Sequence, residues 1–212
     1  ESKDSQGVYK HIDLDMRQYK KIRMFIHAES IVGKTPLPGE GVDDELDSRI
    51  SAFIRIGSDI DENYYQIEIP LKPTAYSRGI SNNLSADEVW QVDDNEIDIP
   101  IEILTKLKAK SISNRNINGA TFFDEDLNLI QEFDLNSSLP GEKKYKFSIK
   151  GNPSLGAIRT LVVGVKNPGN EPNQTLSGEV WFNELRLSEI DSKGGWAAVA
   201  NIDASLADFA NI

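Results

Sequence analysis

Ile50-Ser-Ala-Phe-Ile-Arg-Ile-Gly57 and Tyr64-Tyr-Gln-Ile-Glu-Ile-Pro-Leu71 are the two stretches whose reading decides the fold. In the first, Ile50, Ala52, Ile54 and Ile56 alternate against Ser51, Phe53 and Arg55. In the second, Tyr65, Ile67, Ile69 and Leu71 fall on one side. A period of two is what a strand requires, because successive side chains leave its backbone on opposite faces. The polar stretch from Ser58 to Asn63 is short enough to join the two as a hairpin.

The same signal continues in both directions. Val8 to Asp15 reads as a strand, and so does Lys21 to Ala28, where Ile22, Met24 and Ile26 alternate with Arg23, Phe25 and His27. Strand patterns return at Gly119 to Phe123, Leu129 to Phe133, Lys144 to Ile149, Arg159 to Lys166 and Gly178 to Leu187. A loop from Ser30 to Ser48, rich in Pro and Gly, carries the acidic residues Glu40, Asp43, Asp44, Glu45 and Asp47, and its length suggests a functional surface.

Helical signals are confined to an insertion near residues 85–110. Ser85 is placed to cap Ala86 to Gln91, and Asp98 to cap a helix with Pro100 in its first turn that runs to about Lys110. Ile101, Leu104 and Leu107 give that helix an apolar face. The pattern predicts an all-β protein with minor helices, a jelly-roll β-sandwich over residues 1–188 with a C-terminal strand segment after it. Residues 189–195 read as a linker, and residues 196–212 as the start of another strand.

That last segment admits three readings. Trp196, Ala198, Ala200, Ile202, Ala204 and Leu206 occupy alternate positions, while Asn201, Asp203 and Ser205 make the other face polar. A strand of an outer-membrane barrel has this form over about 9–11 residues, and Trp196, Ile202 and Leu206 would then face lipid. An ordinary amphipathic strand has it too. Ile202, Leu206, Phe209 and Ala210 also fit a short helix, and Asp208 interrupts the strand alternation.

Composition bounds the function. With 34 acidic against 23 basic residues, the 212-residue chain carries a net charge of −11, which repels a nucleic-acid backbone over most of the surface. The absence of cysteine excludes thiol catalysis, cysteine zinc sites and disulfides. Glu1 to Lys10 is too polar for a signal peptide, and a start without targeting fits an excised fragment.

Chemistry-bearing motifs are sparse. His11 and His27 do not form a metal-type pair, and no nucleophile elbow or phosphate-cradling glycine loop is present. No enzyme activity and no cofactor are expected. Asp13, Asp15, Glu29 and Glu68 lie in or beside strands and are the carboxylates from which a glycosidase pair would be drawn. Asp59, Asp61 and Asn63 recur at alternate positions as oxygen ligands do in calcium loops, although Tyr64 and Pro70 stand where an EF-hand has Gly and Glu. Tyr64, Tyr65, Tyr76, Trp90 and Trp181 are candidate stacking platforms for a glycan, and strand packing is the competing use of each.

The segment Gly178-Glu-Val-Trp-Phe-Asn-Glu-Leu-Arg-Leu187 resembles the closing strand of galactose-binding-like, carbohydrate-module jelly rolls. In those modules an acid that helps hold calcium often sits where this chain has Asn183. Read onward, the run from Val180 to Asn211, with Gly194-Gly-Trp-Ala-Ala-Val199 and Leu206-Ala-Asp-Phe-Ala-Asn211, resembles the SprA (Sov) family. Tyr19-Lys-Lys-Ile-Arg-Met-Phe-Ile-His-Ala-Glu29 and Asn63-Tyr-Tyr-Gln-Ile-Glu-Ile-Pro-Leu71 are similar to it as well.

That resemblance implies an internal fragment of the giant outer-membrane translocon of type IX secretion and gliding motility. It implies a non-catalytic domain that caps, lines or braces a β-barrel pore. The implied partners are a PorV-type outer-membrane barrel, a plug protein and secreted cargo with a type IX C-terminal signal. A carbohydrate-binding module of a secreted or cell-surface protein is the alternative expectation.

Overall fold

The computed structural model describes residues 4–31, 33, 34, 37, 50–74, 85–116, 118–130, 145–167, 176–190 and 204–205. The strands are β1 (Ser5–Leu14), β2 (Tyr19–Ser30), β3 (Ser51–Gly57), β4 (Tyr64–Pro70), β5 (Ile97–Pro100) and β6 (Thr121–Phe123). They continue with β7 (Leu129–Ile130), β8 (Lys146–Lys150), β9 (Ile158–Lys166), β10 (Gly178–Ile190) and β11 (Ala204–Ser205). Among the described residues three α-helices, α1 (Ala86–Trp90), α2 (Val92–Asn95) and α3 (Glu102–Ser113), and a 3-10 turn at Met16–Gln18 are the minor helical component.

The strands form two antiparallel sheets, one ordered β1-β9-β3-β4-β8-β6-β7 and the other β11-β10-β2-β5. The expected hairpin is present: Ile54 pairs with Ile67 and Ile56 with Tyr65, so both apolar sets share a face. Ala52, Ile54, Ile56, Ile67 and Ile69 of one sheet join Ile22, Met24, Ile26 and Ala28 of the other in a single buried core. Burial of such side chains contributes about 1.5–3 kcal/mol each relative to exposure.

One helix boundary departs from expectation. Asp98 and Pro100 lie in β5 and not at a helix start, because Ile97 and Ile99 alternate and pair with Met24 and Ile22 of β2. Pro100 ends the strand, where its missing N–H costs no ladder bond, and Ile101 donates to the Lys20 carbonyl at 2.8 Å. The helix starts at Glu102, and Leu104 and Leu107 bury the apolar face that the spacing predicts.

Strand β10 changes phase partway along. Val180 and Phe182 are buried, but the register against β2 shifts between Asn183 and Arg186, and Glu184 takes a left-handed φ of 53°. The extra residue is a β-bulge, which turns the strand's following residues to the opposite face. Leu187 therefore pairs with core-facing Ile22, and Leu185 and Leu187 pack against the core although Trp181, of the same parity, is exposed. Strand β1 carries a second register shift against β9, between His11 and Leu14.

Deleting Glu184 removes that extra residue and its left-handed backbone, leaving a regular strand in which Leu185 and Leu187 keep the core face. The expected outcome in chemical denaturation is a stability unchanged or raised by about 1–2 kcal/mol. A loss of several kcal/mol, comparable to emptying a core leucine site, would contradict the bulge.

Candidate functional site

The three calcium candidates sit on the hairpin between β3 and β4. Asp59 Oδ1 accepts the backbone N–H groups of Asp61, Glu62 and Asn63 at 3.1, 2.6 and 2.9 Å, and Oδ2 accepts the Asn63 amide at 2.9 Å. Partial burial pushes this carboxyl upward, but the Asn63 side chain and the three backbone donors outweigh it and hold the pKa at about 2. Asn63 Oδ1 in turn accepts from the Asn152 N–H at 3.0 Å. Gly151, at φ 64°, lies so close that a Cβ there would stand 2.1 Å from the Glu62 carbonyl oxygen. The trio thus builds a turn and docks it on the next loop.

The four aromatic candidates among the described residues separate. Tyr65 is 1% exposed in the core, and its hydroxyl donates to the Pro153 carbonyl at 3.2 Å; burial pushes the phenol up to about 12. Tyr64, also buried, faces the other side of the sheet, where the Arg55 guanidinium lies 4.0 Å from its ring centroid. Neither ring is an open stacking platform.

Around Arg55 the face of the seven-stranded sheet turned away from the core is polar and buried. Arg55 Nε donates to Gln66 Oε1 at 2.9 Å and Nη1 to the Ile60 carbonyl at 2.8 Å. Gln66 Nε2 donates to Glu68 Oε2 at 3.3 Å, and Glu68 pairs with Lys146 at 3.3 Å and Lys166 at 3.7 Å. Glu68 and Lys146 are each 2% exposed. The alternation Gln66, Glu68 and Lys146, Ser148 reads as a solvent face in sequence, yet all four are buried.

Trp90 and Trp181 do converge. They meet on His27, with ring centroids 5.5 Å and 6.0 Å from the imidazole. The β2–β10 register sets Trp181 directly opposite His27, and α1 brings Trp90 over the same position. His27 Nδ1 is 2.9 Å from the Val89 carbonyl, an acceptor only, so this nitrogen carries the proton. Nε2 lies 3.3 Å from Glu29 Oε2, and Thr74 also donates to Val89 O at 2.6 Å. His27 is buried and Trp181 is 45% exposed, so the cluster presents an indole at the surface near the Glu29 carboxylate. Sequence reading assigned His27 no role, and the signal that finds it is its position opposite Trp181 once the strands are paired.

Of the remaining carboxylates, Asp15 is bound by Arg17, whose side chain lowers its pKa by hydrogen bonding, and Asp13 lies at the rim of a cavity considered below. Trp196, Ile202, Leu206, Tyr76 and the acidic cluster Glu40 to Asp47 lie outside the described residues. No three metal-ligating His, Cys, Asp or Glu side chains gather among the described residues.

Two measurements test this geometry. Glu68→Ala removes the carboxylate 3.3 Å from buried Lys146 and costs about 3–5 kcal/mol in denaturation, whereas Glu68→Leu with Lys146→Met costs far less. Asp59, ionised in the fold down to about pH 2 against 3.8 ordinarily, stabilises the protein above about pH 4 and loses that contribution as pH falls toward 2. In Asp59→Asn that part of the acid sensitivity disappears from melts recorded between those limits.

No curated protein matches the chain. A family model, SprA_N, described as motility related/secretion protein, matches residues 1–212, and the chain belongs to that family.

Proposed function

We propose that this chain is a non-catalytic bracing and interaction domain of an outer-membrane protein-secretion translocon, of the type IX and gliding-motility kind. The observation that carries the reading is the pairing of β11 with β10, Ser205 opposite Trp181 and Ala204 opposite Phe182, in a chain of a motility and secretion family. Ala204 and Ser205, which lie in the segment whose alternation fits a barrel strand, are thereby paired with the sandwich.

In this reading the sandwich is of jelly-roll type and stands beside the barrel, capping, lining or bracing its pore. Its partners are a PorV-type barrel, a plug protein and cargo with a type IX C-terminal signal. Among the described residues no helix is long and apolar enough to cross a membrane. In this reading membrane contact belongs to strands of the parent barrel. A sandwich suits such a task because β2 and β10 are paired along nearly their whole length, giving a stiff plate of about 40 Å.

The test is removal of residues 1–188 from the parent translocon, followed by assays of cargo release and gliding. Both are expected to fall while the barrel still reaches the outer membrane. Normal release and gliding would end the proposal. Calcium has no part in it, so melts in chelator and in millimolar calcium should superpose; a rise of several degrees with calcium would restore the Asp59 loop as a metal site.

The convergence of Trp90 and exposed Trp181 on His27 favours a second reading, a carbohydrate-binding module. Titration with a glycan panel separates the two. Millimolar or tighter binding that is lost in Trp181→Ala would favour the module.

A further inference from the structure

The two bulged strands meet at one opening. Where β1 and β10 stand at the same side of the sandwich, a cavity of about 240 Å³ is lined by Ile12 and Leu14 of β1, Leu185 and Leu187 of β10, and Ile56 and Leu161 beneath them. Lys10 and Asp13 stand at its rim. Cavities of about 150 Å³ with such linings already admit a benzene ring, so this one has room for a leucine or phenylalanine side chain. Both register shifts lie next to it, His11 to Leu14 in β1 and Asn183 to Arg186 in β10, and bulges at sheet edges commonly re-aim side chains toward a site.

Among the described residues the same β1 is an open edge. It ends the seven-stranded sheet, and Ser5 through His11 are exposed, Val8 at 39% and Tyr9 at 61%. An edge of this length offers a row of backbone donors and acceptors to another strand. Charged residues are one device that guards such edges, and here Lys10 and Asp13 are set close together on β1.

We propose that β1 and the adjoining cavity form an acceptor site for an extended polypeptide strand of a partner protein. The partner's backbone pairs with β1, an acidic residue lies across from Lys10, and a leucine- or phenylalanine-sized side chain enters the cavity between β1 and β10. Main-chain pairing supplies affinity and the pocket supplies selection, as in other strand-addition complexes. A polypeptide is favoured over a lipid chain because the cavity adjoins a backbone edge that only another backbone satisfies, and opposite charges across paired strands favour the match at Lys10. The site uses neither the aromatic cluster nor the β10–β11 pairing, so it stands apart from the bracing role.

The experiment uses the 212-residue chain and synthetic eight-residue peptides of alternating Thr and Val, with Leu, Phe or Ser at the position across from Ile12 and Glu or Lys across from Lys10. Binding is read by fluorescence anisotropy, and backbone pairing by hydrogen exchange of β1 amides. The expected result is protection of β1 amides with the Leu–Glu and Phe–Glu peptides and at least tenfold weaker binding of the Ser peptide. Filling the cavity with Leu185→Trp should weaken the Leu peptide tenfold or more. Lys10→Glu, a surface change that leaves the fold intact, should reverse the preference between Glu and Lys peptides. The proposal is overturned if no peptide protects β1 at millimolar concentration, or if Lys10→Glu leaves the preference unchanged. It is equally overturned if the chain forms a dimer that already protects β1, or if decanoate fills the cavity while peptides do not bind.

Discussion

The register between β2 and β10 is the constraint on which the other features depend. β2 keeps a constant phase, placing Ile22, Met24, Ile26 and Ala28 in the core and Arg23, Phe25 and His27 on the far face. β10 follows it only by admitting an extra residue at Glu184. Before the bulge the register delivers Trp181 to His27; after it, the same strand delivers Leu185 and Leu187 to the cavity beside β1. One slipped residue thus separates an aromatic surface from an apolar pocket. A left-handed φ at a non-glycine residue costs free energy, and here it accompanies the packing of two partly buried leucines against the core.

Electrostatics work against simple expectation in this acidic chain. The net charge of −11 would suggest that basic side chains are dispersed where they offset surface acids, yet Lys146 is among the most buried side chains, held by Glu68. A buried pair of this kind gains little over apolar residues of similar volume, but breaking one half of it is costly. Its effect is to fix register: Lys146 is placed opposite Glu68 by the β4–β8 ladder, and a slip of one residue would carry the two charges to opposite faces. The network through Gln66 to Arg55 extends that specification across β3 and β4.

Much of the architecture was legible in the sequence because it rests on period-two alternation, as in Ile54 and Ile56 or Ile67 and Ile69. The failure at Asp98 and Pro100 has a local cause. Cap and first-turn residues are recognised by type, and the strand formed by Ile97 to Pro100 is only four residues long. Its identity comes from β2, distant in sequence, which no local pattern contains. The phase change in Val180-Trp-Phe-Asn-Glu-Leu-Arg-Leu187 was written in the order of apolar residues, even-numbered and then odd-numbered, but an exposed tryptophan obscured it. Tyr64 and Tyr65 were misleading for a related reason: aromatic type is visible in sequence, while which face a sheet covers is not. The meeting of Trp90 and Trp181 on His27 needed three separated segments to be brought together.

Strand β10 also has a mechanical property. It is the shared member of two pairings, with β2 along one side and with β11 along the other. A displacement of the C-terminal segment along its own axis therefore acts on β10 lengthwise, loading the ladder to β2 in shear, with many hydrogen bonds resisting together. The bulge at Glu184 interrupts that ladder, dividing the strand into a span that carries Trp181 and a span that carries Leu187. Strain arriving from the C-terminal side would concentrate at this joint, making β10 a coupling rod with one built-in elbow.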